Sequence, residues 1–337
     1  MLEALRDENT FVVAQVAPSV RVGLGGHLGF AQGENSMPKV VGALKALGFD
    51  RVFDTVAGAD MTVVEEAAEF LSRLEKGEKL PLFTSCCPAW MSFCAKNYPQ
   101  FADNLSTCRS PQQMLGAVIR HWWKTQPESA GKRLVSVSFM PCTAKKAEIL
   151  RPDSITDGVQ DVDYSVTTSE LLSLLEKAGI NAENCPEEAA DAPFASGSGA
   201  SALFGMGGGV TEAVLRYLGL NVTWQEDGNV RQASFCHGGR EVRIATVSGL
   251  ANAAALLDRM SRGEESFDFV EVMACPGGCV MGGGQPSDTY EKLRDKTRRD
   301  TGLHAADSTA AVSRPEMAPL WRDIIGGQEH QLLHRPL

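Results

Sequence analysis

Five cysteines sit where three apolar, β-prone runs stop. Leu80-Pro-Leu-Phe-Thr-Ser-Cys-Cys-Pro-Ala-Trp90 ends in adjacent Cys86 and Cys87, and Val135-Ser-Val-Ser-Phe-Met-Pro-Cys-Thr-Ala-Lys-Lys146 ends in Cys142. The run from Phe267 to Met273 ends in Cys275 and Cys279, joined by Pro-Gly-Gly and followed almost at once by Gly282 to Gly284. Glycine has no Cβ, so this backbone can fold tightly around a group and turn its amides toward it. Two thiols on such a loop signal a metal site, although a C-x3-C gap taken alone suits zinc as well. Open α/β sheets hold their ligands at the carboxyl ends of strands, so three such junctions belong at one place. Four of the cysteines satisfy a cubane iron-sulfur cluster, and one thiol is left over.

The elements that must deliver these loops alternate. Phe11 to Ala17 reads as a buried strand leading into Pro18-Ser19-Val20-Arg21, and Val40 to Leu47 as a helix stopped by Gly48. Arg51 to Thr55 is a short strand. Thr62 to Lys76 is an amphipathic helix, with Thr62 as its cap and Glu65 three residues on. Strand Leu80 to Phe83 meets the Cys86-Cys87 loop, and Pro88 suits the first turn of the next helix. Ser110-Pro111 repeats that start signal. Strand Leu134 to Met140, strand Tyr164 to Thr168, helix Ser169 to Lys177, helix Val210 to Leu218, strand Val242 to Val247, helix Leu250 to Met260 and strand Phe267 to Met273 complete the series. The glycine-rich stretch from Ser196 to Gly209 resembles a phosphate loop but lacks the Lys-Ser/Thr pair, so its glycines are expected to admit close backbone approach. The alternation implies α/β, with parallel sheets covered by helices, in a chain long enough for two lobes.

Composition sets the outer limits. The 337 residues are 43% hydrophobic and 22% charged, with a net charge of −10 that argues against a general nucleic-acid binder. No apolar run approaches the roughly 18 residues that cross a bilayer. Nine cysteines are too sparse for a disulfide scaffold, and the charged start Met-Leu-Glu-Ala-Leu-Arg-Asp-Glu is unlike an export signal, so a reducing cytoplasm is expected. Cys94, Cys108, Cys185 and Cys236 read as ordinary packed or surface thiols. His27, His121, His237 and His304 fit no signature, and His330 and His334 belong to a wrapping tail.

Thr84-Ser-Cys-Cys-Pro-Ala-Trp90, Met140-Pro-Cys-Thr-Ala-Lys-Lys146 and Met273-Ala-Cys-Pro-Gly-Gly-Cys279 with Gly-Gly-Gly-Gln-Pro286 closely resemble, in order, the three signature loops of iron-iron (FeFe) hydrogenase catalytic domains. The resemblance runs from Ala17-Pro-Ser-Val-Arg21 to His334. It divides the chain into a catalytic, large-subunit-like part (residues 1–286) and a fused small-subunit-like segment (residues 287–337). It implies an α/β fold of two lobes, each with a mostly parallel sheet flanked by helices, enclosing a metal cluster between them, in which Cys87, Cys142, Cys275 and Cys279 bind a four-iron four-sulfur cluster. Cys279 would also bridge to a two-iron subcluster carrying carbon monoxide, cyanide and an azadithiolate, the whole forming the H-cluster that interconverts protons, electrons and dihydrogen.

The same resemblance assigns the leftover thiol. Cys86 would pass protons to the bridging amine, and a relay would continue through Glu66, Ser106, Glu69 and Arg73. Lys145 would donate to one cyanide and Ser19 to the other, with Pro18 beside it. Met140 and Met273 would pack against the subcluster, and Gln112 would line the pocket. Taken without the family, Glu66, Glu69 and Arg73 are only charges on one helix face. The implied partners are ferredoxin or a similar electron carrier and the hydrogenase maturases. No ferredoxin-like cysteine cluster precedes Val12, which leaves a minimal enzyme or an excised domain. Ala89 stands where many members have glycine, Val230 to His237 replaces a glycine-richer segment, and Ser313-Arg-Pro-Glu316 matches loosely. These departures keep open a hydrogen-sensing relative with slow turnover. A second alternative is a non-catalytic iron-sulfur scaffold, although such proteins lose much of the pocket that Lys145, Met273 and Gly282 to Gln285 preserve. A plain zinc site explains neither Cys86 nor the pocket residues.

Overall fold

Each apolar run that ends at a cysteine is a strand. The computed structural model describes residues 1–286, 292–307, 311–312 and 314–335. In chain order the first part comprises β1 (Thr10–Val16), α1 (Pro18–Gly23), α2 (Met37–Ala46), β2 (Arg51–Asp54), α3 (Val56–Lys76), β3 (Leu82–Phe83), α4 (Pro88–Asn97), α5 (Pro111–Trp123), β4 (Arg133–Met140) and α6 (Ala144–Glu148). A small hairpin of β5 (Ile155–Thr156) and β6 (Val159–Gln160) leads to β7 (Tyr164–Thr167) and α7 (Thr168–Lys177). Then come α8 (Gly199–Ala202), α9 (Gly209–Tyr217), β8 (Gln225–Asp227), β9 (Val230–His237), β10 (Arg240–Ser248), α10 (Leu250–Ser261) and β11 (Phe269–Met273). The tail contributes α11 (Lys292–Ala306), α12 (Arg314–Leu320) and α13 (Glu329–Leu333).

Two sheets organise these elements. The four-stranded sheet runs β2-β1-β4-β7 and is parallel throughout. The five-stranded sheet runs β3-β11-β10-β9-β8, with β3, β11 and β10 parallel and β9 and β8 added as antiparallel strands. The expected two-lobed α/β fold is therefore present, and its second sheet carries an antiparallel edge. Short local turns, with Gly228, Gly238 and Gly239 at positive φ, let consecutive strands fold back there without a crossover helix. β1, β2 and β4 are almost wholly buried, as expected of parallel strands covered on both faces. Three proline-led helix starts match their local signals: Pro18, Pro88 and Pro111 each occupy the first turn, where a missing N–H costs nothing. Ser110 and Gln113 form a reciprocal capping box.

Other details differ from expectation. β3 begins at Leu82, not Leu80, since Pro81 has no N–H for the ladder. α3 begins at Val56, so Thr62 is no cap; its hydroxyl sits inside the helix and donates to the Gly58 carbonyl at 3.0 Å. Gly58 belongs to the helix because α5 crosses there: a Cβ would lie 2.4 Å from the Pro111 carbonyl oxygen and 3.1 Å from Leu115 Cβ. The close crossing sets α3, which carries the acidic residues, against the start of α5.

The tail is part of the packing. Leu303 is buried with Val22, Leu203 and Val280, while Ile325, Leu332 and Leu333 complete a cluster with Phe11, Val13, Met61 and Leu115. The expected boundary after residue 286, and Ser313, fall on or beside residues outside the described set. Among the described residues no helix is long and apolar enough to cross a membrane.

The α3–α5 crossing yields a prediction of sign. Gly58→Ala gains about 1 kcal/mol of helix propensity, but it pushes a methyl into an unyielding carbonyl, an overpacking that costs roughly 1–3 kcal/mol. Urea denaturation should show net destabilisation; a stabilised Gly58→Ala protein would mean that the helices do not approach this closely.

Candidate metal centre and proton path

The strand ends of both sheets open onto one cavity. β3 supplies Cys86 and Cys87, β11 supplies Cys275 and Cys279, and β4, from the other sheet, supplies Cys142. All five line the cavity together with Pro18, Ser19, Gln112, Met140, Lys145 and Met273, so every pocket residue expected from the sequence is brought to one place. The lining leaves about 830 Å³ of atom-free space, part of it open to solvent.

The loops fit because of glycine at two positions. A Cβ on Gly282 would meet the Pro141 carbonyl oxygen at 2.2 Å, and one on Gly284 would lie 3.0 Å from the Cys142 nitrogen. The Cys279 loop thus lies directly on the Cys142 loop, tied by the Gly284 amide donating to the Pro141 carbonyl at 2.8 Å. Gly205 makes a similar approach, with its Cβ position 2.3 Å from Ser19 Oγ. The glycine-rich stretch is a packing device, as expected.

The donor set suits a polynuclear cluster. Sulfurs on one tetrahedral zinc, each about 2.3 Å from the ion, would lie within about 4 Å of one another. Among the described residues, no three of these thiols have sulfurs within 4.8 Å of one another. They are nevertheless close enough to feel each other's charge. Burial raises the thiols of Cys87 and Cys275, and raises Cys279 most; Cys142 adds to the rise at all three. Backbone amides of Ala274 and Trp90 act on Cys87, and that of Gly283 on Cys275, favouring thiolate. Thiolates here call for cationic charge beside them, which clustered iron provides.

Lys145 is held by a residue absent from the sequence expectations. Its Nζ donates to Glu148 at 2.9 and 2.8 Å and to the Cys86 carbonyl at 3.1 Å. Burial works against the ammonium, but Glu148, with Cys86 and Cys142, outweighs it and raises Lys145 above the ordinary lysine range. Glu148 is wholly buried and also accepts from Ser110 Oγ at 2.9 Å and Gln112 Nε2 at 2.7 Å. Gln112 therefore spends its amide on Glu148 and on Ser138, whose hydroxyl it accepts at 2.7 Å. Gln285 was also unassigned. Its Nε2 donates to the Ser19 carbonyl at 2.7 Å and its Oε1 has no partner. The lone signal for Glu148 was its i+3 spacing from Lys145 on α6.

Behind Cys86 lies the expected series of acids. Cys86 is raised well above the cysteine range, first by burial and then by the Glu66 charge. Glu66 is buried, its Oε2 has no partner, and burial followed by the Glu69 charge pushes its carboxyl up to about 8. Ser106 lies within reach of Glu66 and donates to Glu69 Oε2 at 2.9 Å. Glu69 accepts from Arg73 Nη2 at 2.5 Å. Glu69 also accepts from the Thr107 amide at 2.9 Å and hydroxyl at 3.1 Å. Thr107 was not foreseen, and Cys108, read as an ordinary thiol, is buried with its Sγ 3.8 Å from Glu69.

Two stability predictions follow from this wiring. Glu148→Ala strands the Lys145 ammonium and leaves two neutral donors unpaired, a loss of roughly 3–5 kcal/mol in urea denaturation, which Glu148→Ala with Lys145→Met should partly recover. Glu66 behaves in the opposite sense. The folded carboxyl keeps its proton to about pH 8, whereas the unfolded one releases it near 4.5, so stability falls as pH rises through that window. Glu66→Gln should match the parent at the acid end and exceed it, on the order of 5 kcal/mol, above the upper value. Parallel pH profiles for the two proteins would mean that Glu66 ionises normally.

Comparison with known proteins places this geometry. Residues 10–283 match the family of the iron only hydrogenase large subunit, C-terminal domain. The chain is 40% identical over 99% of its length to the NADP-reducing hydrogenase subunit HndD of Solidesulfovibrio fructosivorans, of which it spans 61%, or about six-tenths. It is 30% identical over 97% of its length to the cytosolic Fe-S cluster assembly factor narfl of Danio rerio, spanning 86% of that protein. Among solved structures, apo FeFe hydrogenase HydA1 from Chlamydomonas reinhardtii superposes with a TM-score of 0.84 at 34% identity, covering 99% of this chain and 97% of that one. A cavity walled by cysteines from both sheets, on a chain matched from end to end by such relatives, belongs to the iron-only hydrogenase large-subunit family.

Proposed function

We propose that the cavity holds a four-iron four-sulfur cluster on Cys87, Cys142, Cys275 and Cys279. A two-iron subcluster with carbon monoxide, cyanide and azadithiolate ligands would share Cys279, and the chain would reversibly reduce protons to dihydrogen. Bound there, the H-cluster would supply the electrons and the metal at which hydrogen is formed or split. The rest is the work of side chains. Cys86 would hold the proton at its Sγ next to the subcluster, and Glu66, Ser106 and Glu69 would restore it, with Arg73 fixing Glu69. Lys145 would present a cation to an anionic ligand in a dry pocket, with Ser19 a second donor beside Pro18. Met140 and Met273 would pack soft side chains around the metal, and Gln112 would keep Glu148 beneath Lys145. Residues 287–337 read as a small-subunit-like segment fused to the large-subunit part. Ferredoxin or a similar carrier would exchange electrons, and dedicated maturases would install the two-iron unit.

One observation carries this reading over the alternatives. Cys86 is a fifth thiol in the cavity wall, and the buried Glu66 behind it stays protonated near neutral pH. A protein that merely stores clusters has no use for a thiol and an acid in that order. The assembly-factor relatives keep the scaffold reading alive as the second possibility, and a hydrogen sensor would share the site while turning over slowly.

The deciding experiment is an infrared spectrum of protein purified anaerobically after co-expression with the maturases. Metal-carbonyl and cyanide bands with hydrogen evolution are expected. Cys86→Ser should keep the bands and lose activity by roughly 100-fold or more. Cubane-loaded protein without such bands would sink the hydrogenase reading and leave the scaffold; bands with only slow turnover in the parent would identify a sensor.

A further inference from the structure

The acid series reaches Arg73 and stops there chemically. Arg73 donates Nη1 to the carbonyls of Lys79 and Asn104, both at 3.0 Å, and Nη2 to Leu105 O at 3.0 Å as well as to Glu69. A guanidinium so committed releases no proton in a protein, so it holds Glu69 in place but cannot exchange protons with water. Another branch does reach the surface. Thr107 Oγ1, which donates to Glu69 Oε2, lies 2.9 Å from His334 Nδ1, and His334 Nε2 lies 3.1 Å from Glu65 Oε2. The side chains of His334 and Glu65 are 13% and 17% exposed.

This placement is built by backbone. The tail pairs with the segment around Cys108: the Arg109 amide donates to the Leu333 carbonyl and the Arg335 amide to the Thr107 carbonyl, both at 2.8 Å. Arg109 Nε also donates to the His334 carbonyl at 3.1 Å. The ring is thus fixed over Thr107. Around it stand Glu65 and Glu69 of α3, the Cys108 thiol, the Arg335 guanidinium bonded to the Ser106 carbonyl, and His330, stacked at 5.7 Å.

Glu69, Cys108 and His334 bring ligand atoms within 4.8 Å of one another, which would also describe a metal site. Glu69 argues otherwise: its oxygens already accept from Ser106, Thr107 and Arg73, and Arg335 adds a second cation. Hydrogen-bonded donors and a titratable ring suit a moving proton better than a fixed ion.

We propose that His334 and Glu65 form the solvent end of the proton path, an assignment that rests on reading the cavity as a hydrogen-forming site. A proton enters at His334 Nε2 from Glu65, which takes it from water. The Nδ1 proton passes to Thr107 Oγ1 as the hydroxyl gives its own to Glu69 Oε2, so one proton enters for each that moves inward. Only N–H and O–H bonds change. An imidazole ring can accept a proton at one nitrogen while donating from the other, which suits it to this position.

Two readouts test this in the full chain. In protein prepared without maturases, the carboxylic-acid band of Glu66 should shift in heavy water at a rate set by the path. His334→Gln and Glu65→Gln should each slow that exchange by about tenfold or more, and added imidazole should restore it in His334→Ala. In maturase-loaded protein, the same variants should slow hydrogen evolution with unchanged carbonyl bands and melting temperature. Parent-like exchange in either folded glutamine variant would overturn the proposal, and Glu65→Gln serves if His334→Gln does not fold. If the loaded parent makes no hydrogen, the functional reading fails, while the exchange rates still decide the outlet.

Discussion

One buried carboxylate holds the cavity in register. Glu148, at the end of a five-residue helix, is wholly buried and accepts from Lys145, Ser110 and Gln112. Through Lys145 it reaches the Cys86 carbonyl on the other sheet's loop, and through Ser110 and Gln112 it fixes the first turn of α5. Gln112 in turn grips β4 by way of Ser138. A buried charge with one partner removed is expensive, on the order of several kcal/mol, so these contacts stand or fall together. The strands deliver the thiols, and this network sets how far apart the two deliveries lie.

The buried acids differ in what surrounds them, and the difference separates structure from chemistry. Glu271 in β11 is also wholly buried, yet it accepts from the Gly208 and Thr211 amides and the Thr211 hydroxyl, each at 2.8 Å. Those donors oppose the rise that burial imposes and tie the glycine-rich loop to the strand ending at Cys275. Glu148 has a cation as well as neutral donors. Glu66 has neither a cation at contact distance nor a full set of donors, and it has Glu69 one helical turn away. Its proton is the cheapest answer to that position.

What the sequence made legible was whatever is local. Apolar runs stopped by cysteine, proline after a strand, and the Ser110-Pro111 pair all depend on a few neighbouring residues, and β3, β4, β11 and the starts of α4 and α5 lie at or near their expected places. The five thiols stood out at the strand ends. Their division into four proposed ligands and Cys86, and the choice of pocket residues, came through motif resemblance, and the structure gathers them in one cavity. Partners joined across the chain were not legible. Glu148 meets Gln112 from 36 residues away and His334 meets Thr107 from 227 away. Neither pairing leaves a periodicity, and glutamate or histidine near a helix end is ordinary on any surface. The start of α3 at Val56 instead of Thr62 has the same cause: Gly58 lies inside the helix where Pro111, of a helix not yet reached in the chain, crosses it. The antiparallel edge escaped because β9 is only partly buried and lacks the alternation of a half-buried strand.

The enzyme and scaffold readings differ in what they ask of stability. Holding a cluster asks for buried thiols, amides turned toward sulfur and a dry wall, and the cavity has these. It does not ask for Glu66. An unpartnered Oε2 in the interior costs about 1–3 kcal/mol, and an isosteric apolar residue would pack there without that loss. Native interiors keep few such groups, and those they keep need a reason. Here the carboxyl lies between a cavity thiol and a serine whose hydroxyl donates to Glu69, and its proton is retained close to neutral pH. A stable but exchangeable proton at that point suits a site through which protons pass, and it supports the proposed turnover on physical grounds independent of the motif match.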